Sequence, residues 1–167
     1  METVGQDLEQ LKQQFIERTQ HHIELVNKYA QRLGLQYPQH DSSKLTLLLD
    51  GYCYFCKPKE LRTEQENEVL DTVTLIHIKN SPHHPEYWTD TDLTGWTRSN
   101  FTPSGPIDCS QMPEECIVEM VCDWHATGEE KGNTCLDWYN KVNGVRWVFT
   151  PEQQQLISQL IEELQND

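Results

Sequence analysis

The sequence predicts an all-α protein, on three observations. Apolar residues recur at spacings of three and four along several segments, the pattern of one-sided helices. Strand-like alternation is nearly absent, with Trp147-Val148-Phe149 the one short β-like run. Helix punctuation, in the form of capping residues and Pro or Gly stops, brackets each periodic segment. The first helix is predicted over 7–33, where Leu8, Leu11, Phe15, Thr19, His22, Val26, Ala30 and Leu33 form one inward stripe; Gly34 caps it and Tyr37-Pro38 ends it. Asp41-Ser42-Ser43 supplies N-caps for a short buried helix over 44–49, followed by a Tyr- and Phe-rich connector over 51–58. A second long helix is expected over 60–79, with Glu66, Leu70, Val73 and His77 facing inward and Asn80-Ser81-Pro82 as its stop.

Residues 82–110 hold four of the eight prolines and show little periodicity, so they read as one long loop. A loop of that length inside a compact domain usually carries function or walls a pocket. Met112-Pro113-Glu114-Glu115 has Pro and acids where a helix begins, and the helix is expected to run through Ile117, Met120, Val121 and Trp124 to about Thr127, with Gly128 ending it. A further helix is expected over 134–141. Thr150-Pro151-Glu152 opens a terminal amphipathic helix carrying Leu156, Ile157, Leu160, Ile161 and Leu164. The expectation is one domain over 1–167, a bundle of about six helices with a core over about 7–127 and C-terminal helices, 130–165, packed on it. No internal repeat is visible.

The 167 residues suit a single domain. Hydrophobic residues make up 36% and mean hydropathy is −0.72, yet five Trp, six Tyr and four Phe supply the aromatic mass that disordered chains lack. Thirteen basic against 27 acidic residues give a formal charge of −14, which argues against duplex nucleic acid as a partner. A small anionic substrate stays compatible if local cations offset the field, and the acidity suits divalent metal ions. No apolar run approaches a membrane span, and METVGQDLEQ has neither a basic nor an apolar region, so a cytoplasmic protein is expected (host cytoplasm if viral). The six cysteines, at 53, 56, 109, 116, 122 and 135, read as reduced and mainly buried. Cys53 and Cys56 have metal-ligand spacing but no second pair to complete four ligands, leaving a zinc there as the alternative reading.

The placement of His and Asp is the informative feature. His22 falls on the inward stripe of its helix, whereas His21 does not. His77 lies on the inward stripe of the second long helix, and Asp123 sits in the most apolar helical stretch of the chain. A buried carboxylate is costly unless it is paired or bound to a metal. A lone buried His is usually a satisfied core residue. Here separate helices each aim one inward, His40-Asp41 adds a pair at a helix entry, and His83-His84 adds another after a helix end. Convergence on a divalent cation accounts for all of them together.

In order and type, His22, His40-Asp41, His77, His83-His84 and Asp123 resemble the HD superfamily of all-α metal-dependent hydrolases, and an HD-like bundle is the implied fold. His40-Asp41-Ser42-Ser43-Lys44 resembles that superfamily's HD-x-x-K segment, whose Lys contacts substrate phosphate or another anion; Lys44 matches it, while Ser43 stands where Gly is usual. The chain more closely resembles a small family found in phages and bacteria that shares HD-x-SK, HHPEYW and EM-x-x-DW segments. Here these are His40 to Lys44, His83-His84-Pro85-Glu86-Tyr87-Trp88, and Glu119-Met120-Val121-Cys122-Asp123-Trp124. Ser81-Pro82 adds one residue between Asn80 and the His pair, a departure from that pattern.

The resemblance implies one metal on His22, His40, Asp41 and Asp123, and a second on Asp41, His77 and either His83 or His84. Mn, Fe, Co or Zn is expected, with Mg compatible, and mixed His and carboxylate ligation favours a transition metal. The leading expectation is hydrolysis of a nucleotide or small phosphoester, with the metal lowering the pKa of water and Lys44 stabilising the phosphate charge. Glu119 lies one turn before Asp123 and is either a general base, a partner to a metal ligand or a solvated acid. Two alternatives are a di-iron HD-type oxygenase acting on a small anion, and a non-catalytic metal-binding or host-takeover protein. Tyr87 and Trp88 read as packing or as a pocket lid; His21 and His125 read as bystanders. No dinucleotide or phosphate-loop glycine pattern is present.

Overall fold

Local capping sets where the long helices begin. In the computed structural model, which describes residues 7–165, the carboxylate of Asp7 accepts the Gln10 backbone N–H at 2.9 Å, and the Gln10 side-chain carbonyl accepts the Asp7 N–H at 3.2 Å. This reciprocal cap opens α1 (Leu8–Gln31). Thr63 and Glu66 repeat the device at 3.1 and 2.9 Å, so α3 (Glu64–Asn80) begins four residues later than the stripe alone predicts. A separate 3-10 turn over Lys59–Leu61 occupies the residues between.

Segment 44–49 departs from the expected short buried helix. Asp41 adopts the left-handed region at φ 55°, the one non-glycine among the described residues to do so, and its turn runs into a 3-10 helix, Ser42–Leu45. The apolar residues that follow are split: Leu47 is 88% exposed, and only Leu49–Tyr52 forms an α turn, α2, before another 3-10 turn over Cys53–Cys56. The backbone there follows the placement of the His40-Asp41 pair rather than the period of the leucines.

The 82–110 stretch holds a one-turn helix, α4 (Pro85–Trp88), and a strand, β1 (Ile107–Asp108), which pairs in parallel with β2 (Trp147–Val148). Then come α5 (Glu114–Lys131), α6 (Cys135–Val142) and α7 (Pro151–Gln165). The expected end of α5 at Gly128 is wrong. Gly128 lies inside the helix, and glycine is needed there because the Asn133 carbonyl packs against it: a Cβ would sit 2.7 Å from that oxygen. Gly132, at φ 75°, is the terminator instead. The outcome is an all-α chain of seven α-helices among the described residues, with one two-stranded ribbon.

Helix α5 is the central element, packed against both α1 and α7. The main core takes Leu25, Val26 and Ala30 of α1, Ile117, Met120 and Val121 of α5, and Ile157, Leu160 and Leu164 of α7. A smaller cluster joins Leu11 and Phe15 of α1 to Tyr52 and Cys53. Leu8, expected on the inward stripe, is half exposed. His22 lies on α1 between the two clusters, so the polar centre occupies the seam where they meet. All six cysteines are free thiols, and Cys53, Cys109, Cys122 and Cys135 are buried. No helix among the described residues is long and apolar enough to cross a membrane.

Candidate metal centre

Five segments deliver side chains to this seam: α1 gives His22, the turn after it His40 and Asp41, the last turn of α3 His77, the entry to α4 His83 and His84, and α5 Glu119 and Asp123. Asp123 Oδ1 lies 2.7 Å from His22 Nε2 and 3.3 Å from His40 Nε2. Asp41 Oδ2 lies 3.8 Å from the former and 3.5 Å from the latter. Its other oxygen, Oδ1, is 3.1 Å from His77 Nε2 and 3.2 Å from His83 Nε2. Two sets of potential ligands follow: His22, His40, Asp41 and Asp123, and Asp41, His77, His83 and His84, in each of which one ligand atom per residue lies within 4.8 Å of every other. Asp41 belongs to both, one oxygen facing each way.

The chemistry of the second set fits a cation. Asp41 Oδ1, His77 Nε2 and His83 Nε2 are all out of reach of solvent and without a hydrogen-bond partner. Unpaired buried polar atoms of this kind are costly. Two atoms bound to one transition metal at about 2.1 Å each stand roughly 3 to 3.4 Å apart. That is the separation seen here. His84 contributes through its ring, 5.0 Å from that of His77 and 4.5 Å from that of His83, so both members of the His83-His84 pair reach the set.

Four of the five candidate ligand imidazoles, all but His84, are gripped from behind. His22 Nδ1 meets Glu130 Oε1 at 2.6 Å, and His77 Nδ1 meets Ser81 Oγ at 3.2 Å. One oxygen of Glu119 takes His40 Nδ1 at 2.8 Å and His83 Nδ1 at 3.3 Å. Holding Nδ1–H fixes the tautomer that leaves Nε2 free for a metal, the arrangement typical of ligating histidines. Although Glu119 also groups with His40 and His83 as a possible ligand set, it sits on their Nδ1 side and does not line the cavity in front of the centre. That position makes it an orienting residue rather than a base within reach of substrate. Asp41 carries its own cost, since the left-handed backbone is strained for non-glycine residues, though least for Asp and Asn.

Without a cation, protons balance these carboxylates. Burial pulls the His22 pKa down, but Asp123 and Glu130 outweigh it and raise it to about 10. His40 rises to about 9 in the same way, burial being overcome by Asp41, Asp123 and Glu119. His77 falls to about 4, through burial and the nearby Lys44 ammonium. Burial opposes the ionisation of Glu119, yet His40 and His83 bring it down to about 2. Burial likewise resists the charge on Asp41 and Asp123, and Lys44 with His40 on the first and His22 with His40 on the second hold both well below the usual range. Lys44 Nζ is 3.0 Å from Asp41 Oδ2 and lies over the Tyr52 ring at 5.1 Å. Its pKa is raised, against the effect of burial, by Asp41.

In front of the centre opens a cavity of about 750 Å³, and its lining reverses the charge of the chain. Arg18, Lys44, Arg98, Lys131 and Arg146 face it, against three carboxylates, Asp41, Asp123 and Glu130. Two of those three are candidate ligands and the third holds His22. Arg146 is stacked between Phe101 and Trp147, its guanidinium carbon 4.0 and 4.2 Å from their ring centres, and reaches Glu86 at 3.4 Å. Glu86 also accepts the Trp147 indole N–H at 2.9 Å, which ties α4, and with it His83 and His84, to β2. Trp88 packs on the main core while Tyr87 is exposed. His21 is exposed, whereas His125, outside the centre, is buried on the Tyr29 ring.

Sequence reasoning did not single out Ser81, Glu130, Arg18, Lys131 or Arg146. Ser81 and Glu130 carried a readable signal, one at i+4 from His77 and the other at i+7 from Asp123, but ending α5 at Gly128 removed Glu130 from the helix face. Set against known proteins, the chain matches over residues 11–163 the model of a family of unknown function, DUF5662. No curated protein and no solved structure matches it.

Proposed function

The chain belongs to DUF5662, a family of unknown function, and because that membership assigns no reaction, we propose from the centre and its cavity that the protein is a metal-dependent phosphohydrolase of the HD type. One observation carries the reading: a buried His and carboxylate cluster, with ligand atoms facing two neighbouring points through a shared Asp41, opens into a cation-lined cavity on a chain of charge −14. His22, His40, Asp41 and Asp123 would hold one divalent ion, and Asp41, His77, His83 and His84 a second. Such ions supply a nucleophilic water at neutral pH and neutralise charge on a phosphoryl group.

The chain's own residues do the positioning. Glu119, Glu130 and Ser81 hold the imidazoles in the ligating tautomer. Lys44, protonated and facing the cavity, offers a fixed positive charge to a phosphoryl oxygen, where it is worth more than in water. Arg146, Arg98, Arg18 and Lys131 draw an anion inward. The pocket closes over Phe15, Phe55, Trp96 and Phe101, enough apolar wall to limit water around a bound ester.

A second reading shares the same side chains. Two ions bridged by Asp41 also suit a di-iron oxygenase, and the His-rich second set favours iron as readily as manganese. The test is direct. Anaerobically purified protein is analysed for metal, then assayed for phosphate release from a panel of nucleotides and phosphoesters with Mn(II), and for oxygen uptake with Fe(II). Phosphate release that disappears in His40→Ala supports the hydrolase. Oxygen consumption without phosphate release replaces it with the oxygenase, and turnover that survives His40→Ala removes the chemistry from this centre.

A further inference from the structure

The cavity, at about 750 Å³, is larger than one phosphate requires, and its cations are not equivalent. Lys44 is paired with Asp41, Arg98 with Asp71 at 2.7 Å, and Arg146 with Glu86. Arg18 and Lys131 line the same cavity, are exposed at its mouth, and have no carboxylate partner among the described residues. Both sit on helices that also carry candidate ligands. Arg18 lies one turn before His22 on α1, about 6 Å along the axis, and Lys131 lies two turns after Asp123 on α5, about 12 Å. Both therefore face one chamber from positions outside the ligand cluster, on the walls beyond the centre.

Charge on the carboxylate side of this mouth is already spent. Glu130, the acid that lines it, is engaged with His22 Nδ1, and Glu129 is held by Lys28 at 2.6 Å and by the Tyr29 hydroxyl at 2.7 Å. Of the five cations facing the cavity, Arg18, which meets the Cys56 thiol, and Lys131 are the two without a carboxylate among the described residues, so their charge is open to an anionic ligand. Resting on the phosphohydrolase reading above, we propose that the substrate is a doubly anionic phosphoester: one phosphate is bound at the centre and Lys44, and a second anionic group, separated by a sugar-sized spacer, is bound by Arg18 and Lys131, which thereby select bisphosphates over monophosphates.

The experiment measures binding as well as turnover. Mn(II)-loaded protein is titrated by calorimetry with adenosine 3′,5′-bisphosphate and with adenosine 5′-monophosphate, for the unaltered chain and for Arg18→Gln and Lys131→Gln. Both side chains are exposed, so neither change threatens folding; circular dichroism and bound-metal content verify this. The unaltered protein should prefer the bisphosphate, and each substitution should lower the ratio of the two affinities about tenfold, as expected for losing a charge-assisted contact partly open to water. An unchanged ratio, equal weakening of both ligands, or no binding of either overturns the proposal. Phosphate release from the monophosphate with an unchanged ratio would leave the hydrolase reading standing and remove only the second subsite. Selective bisphosphate binding without any phosphate release would do the reverse.

Discussion

Filling the centre with metal should expel protons, and the structure sets how many. In the ion-free protein His22 titrates near 10 and His40 near 9, each held up by carboxylates that overcome burial. At about pH 7.5 both therefore carry a proton, yet an imidazole binds a metal only as the neutral base. Binding at His22, His40, Asp41 and Asp123 should release about two protons per ion, and the apparent affinity should rise about a hundredfold per pH unit up to about pH 9 before flattening. The second set behaves differently. His77, near 4, is already neutral, and His84 is held low by burial and by His83, so His83, whose pKa is raised, is the one imidazole there with a proton to lose. Its slope should be no more than about one decade per pH unit. Calorimetric titration of chelator-treated protein with Mn(II), in buffers of different ionisation enthalpy, counts these protons directly. Fewer than one proton per tightly bound ion at neutral pH, or an affinity that falls as pH rises, would refute the placement of His22 and His40 as ligands.

Further consequences can be measured. Raised folded-state values on His22 and His40 stabilise the ion-free protein fully below about pH 6.5, their unfolded value, and that stability is lost as pH climbs through about 9 and 10; the lowered Glu119, Asp41 and Asp123 stabilise it above about pH 4 and lose that contribution as pH falls. The Tm of chelated protein should accordingly be highest near pH 5 to 6.5, and saturating metal should remove the alkaline decline. Asp41→Asn keeps a residue that tolerates the left-handed backbone but removes the shared carboxylate, so elemental analysis should find both ions lost; retention of either would show that Asp41 does not bridge. Glu119→Gln should weaken metal binding about 10- to 100-fold in both sets, because one oxygen orients a histidine in each; a loss confined to one set, read by competition with a chelator, would disprove the shared role. Gly128→Ala forces a Cβ to within 2.7 Å of the Asn133 carbonyl, which should cost about 1–3 kcal/mol and lower the Tm by roughly 2–10 °C; an unchanged Tm would mean that the turn after α5 yields freely.

Helix class and the metal-ligand residue types were legible from the chain alone because both depend on short spacings. Periods of three and four put Phe15, Val26 and Ala30 on the buried side of α1 together with the turn that carries His22, and an acid such as Asp123 within an apolar stretch announces its cost wherever it folds. Boundaries were less legible, since they depend on partners. Gly128 reads as a stop until the Asn133 carbonyl is known to pack against it, and 44–49 reads as a helix until Asp41 is seen to need a left-handed turn. That one misplaced end hid Glu130, and with it the grip on His22. What only the tertiary structure decided is long-range. It turned the two oxygens of Asp41 toward different histidine pairs, placed Glu119 behind His40 and His83 rather than before the substrate, and gathered five scattered cations around one cavity of an acidic molecule. Such relations join residues tens of positions apart, and local periodicity carries no information about which distant side chains chain folding will bring within bonding distance.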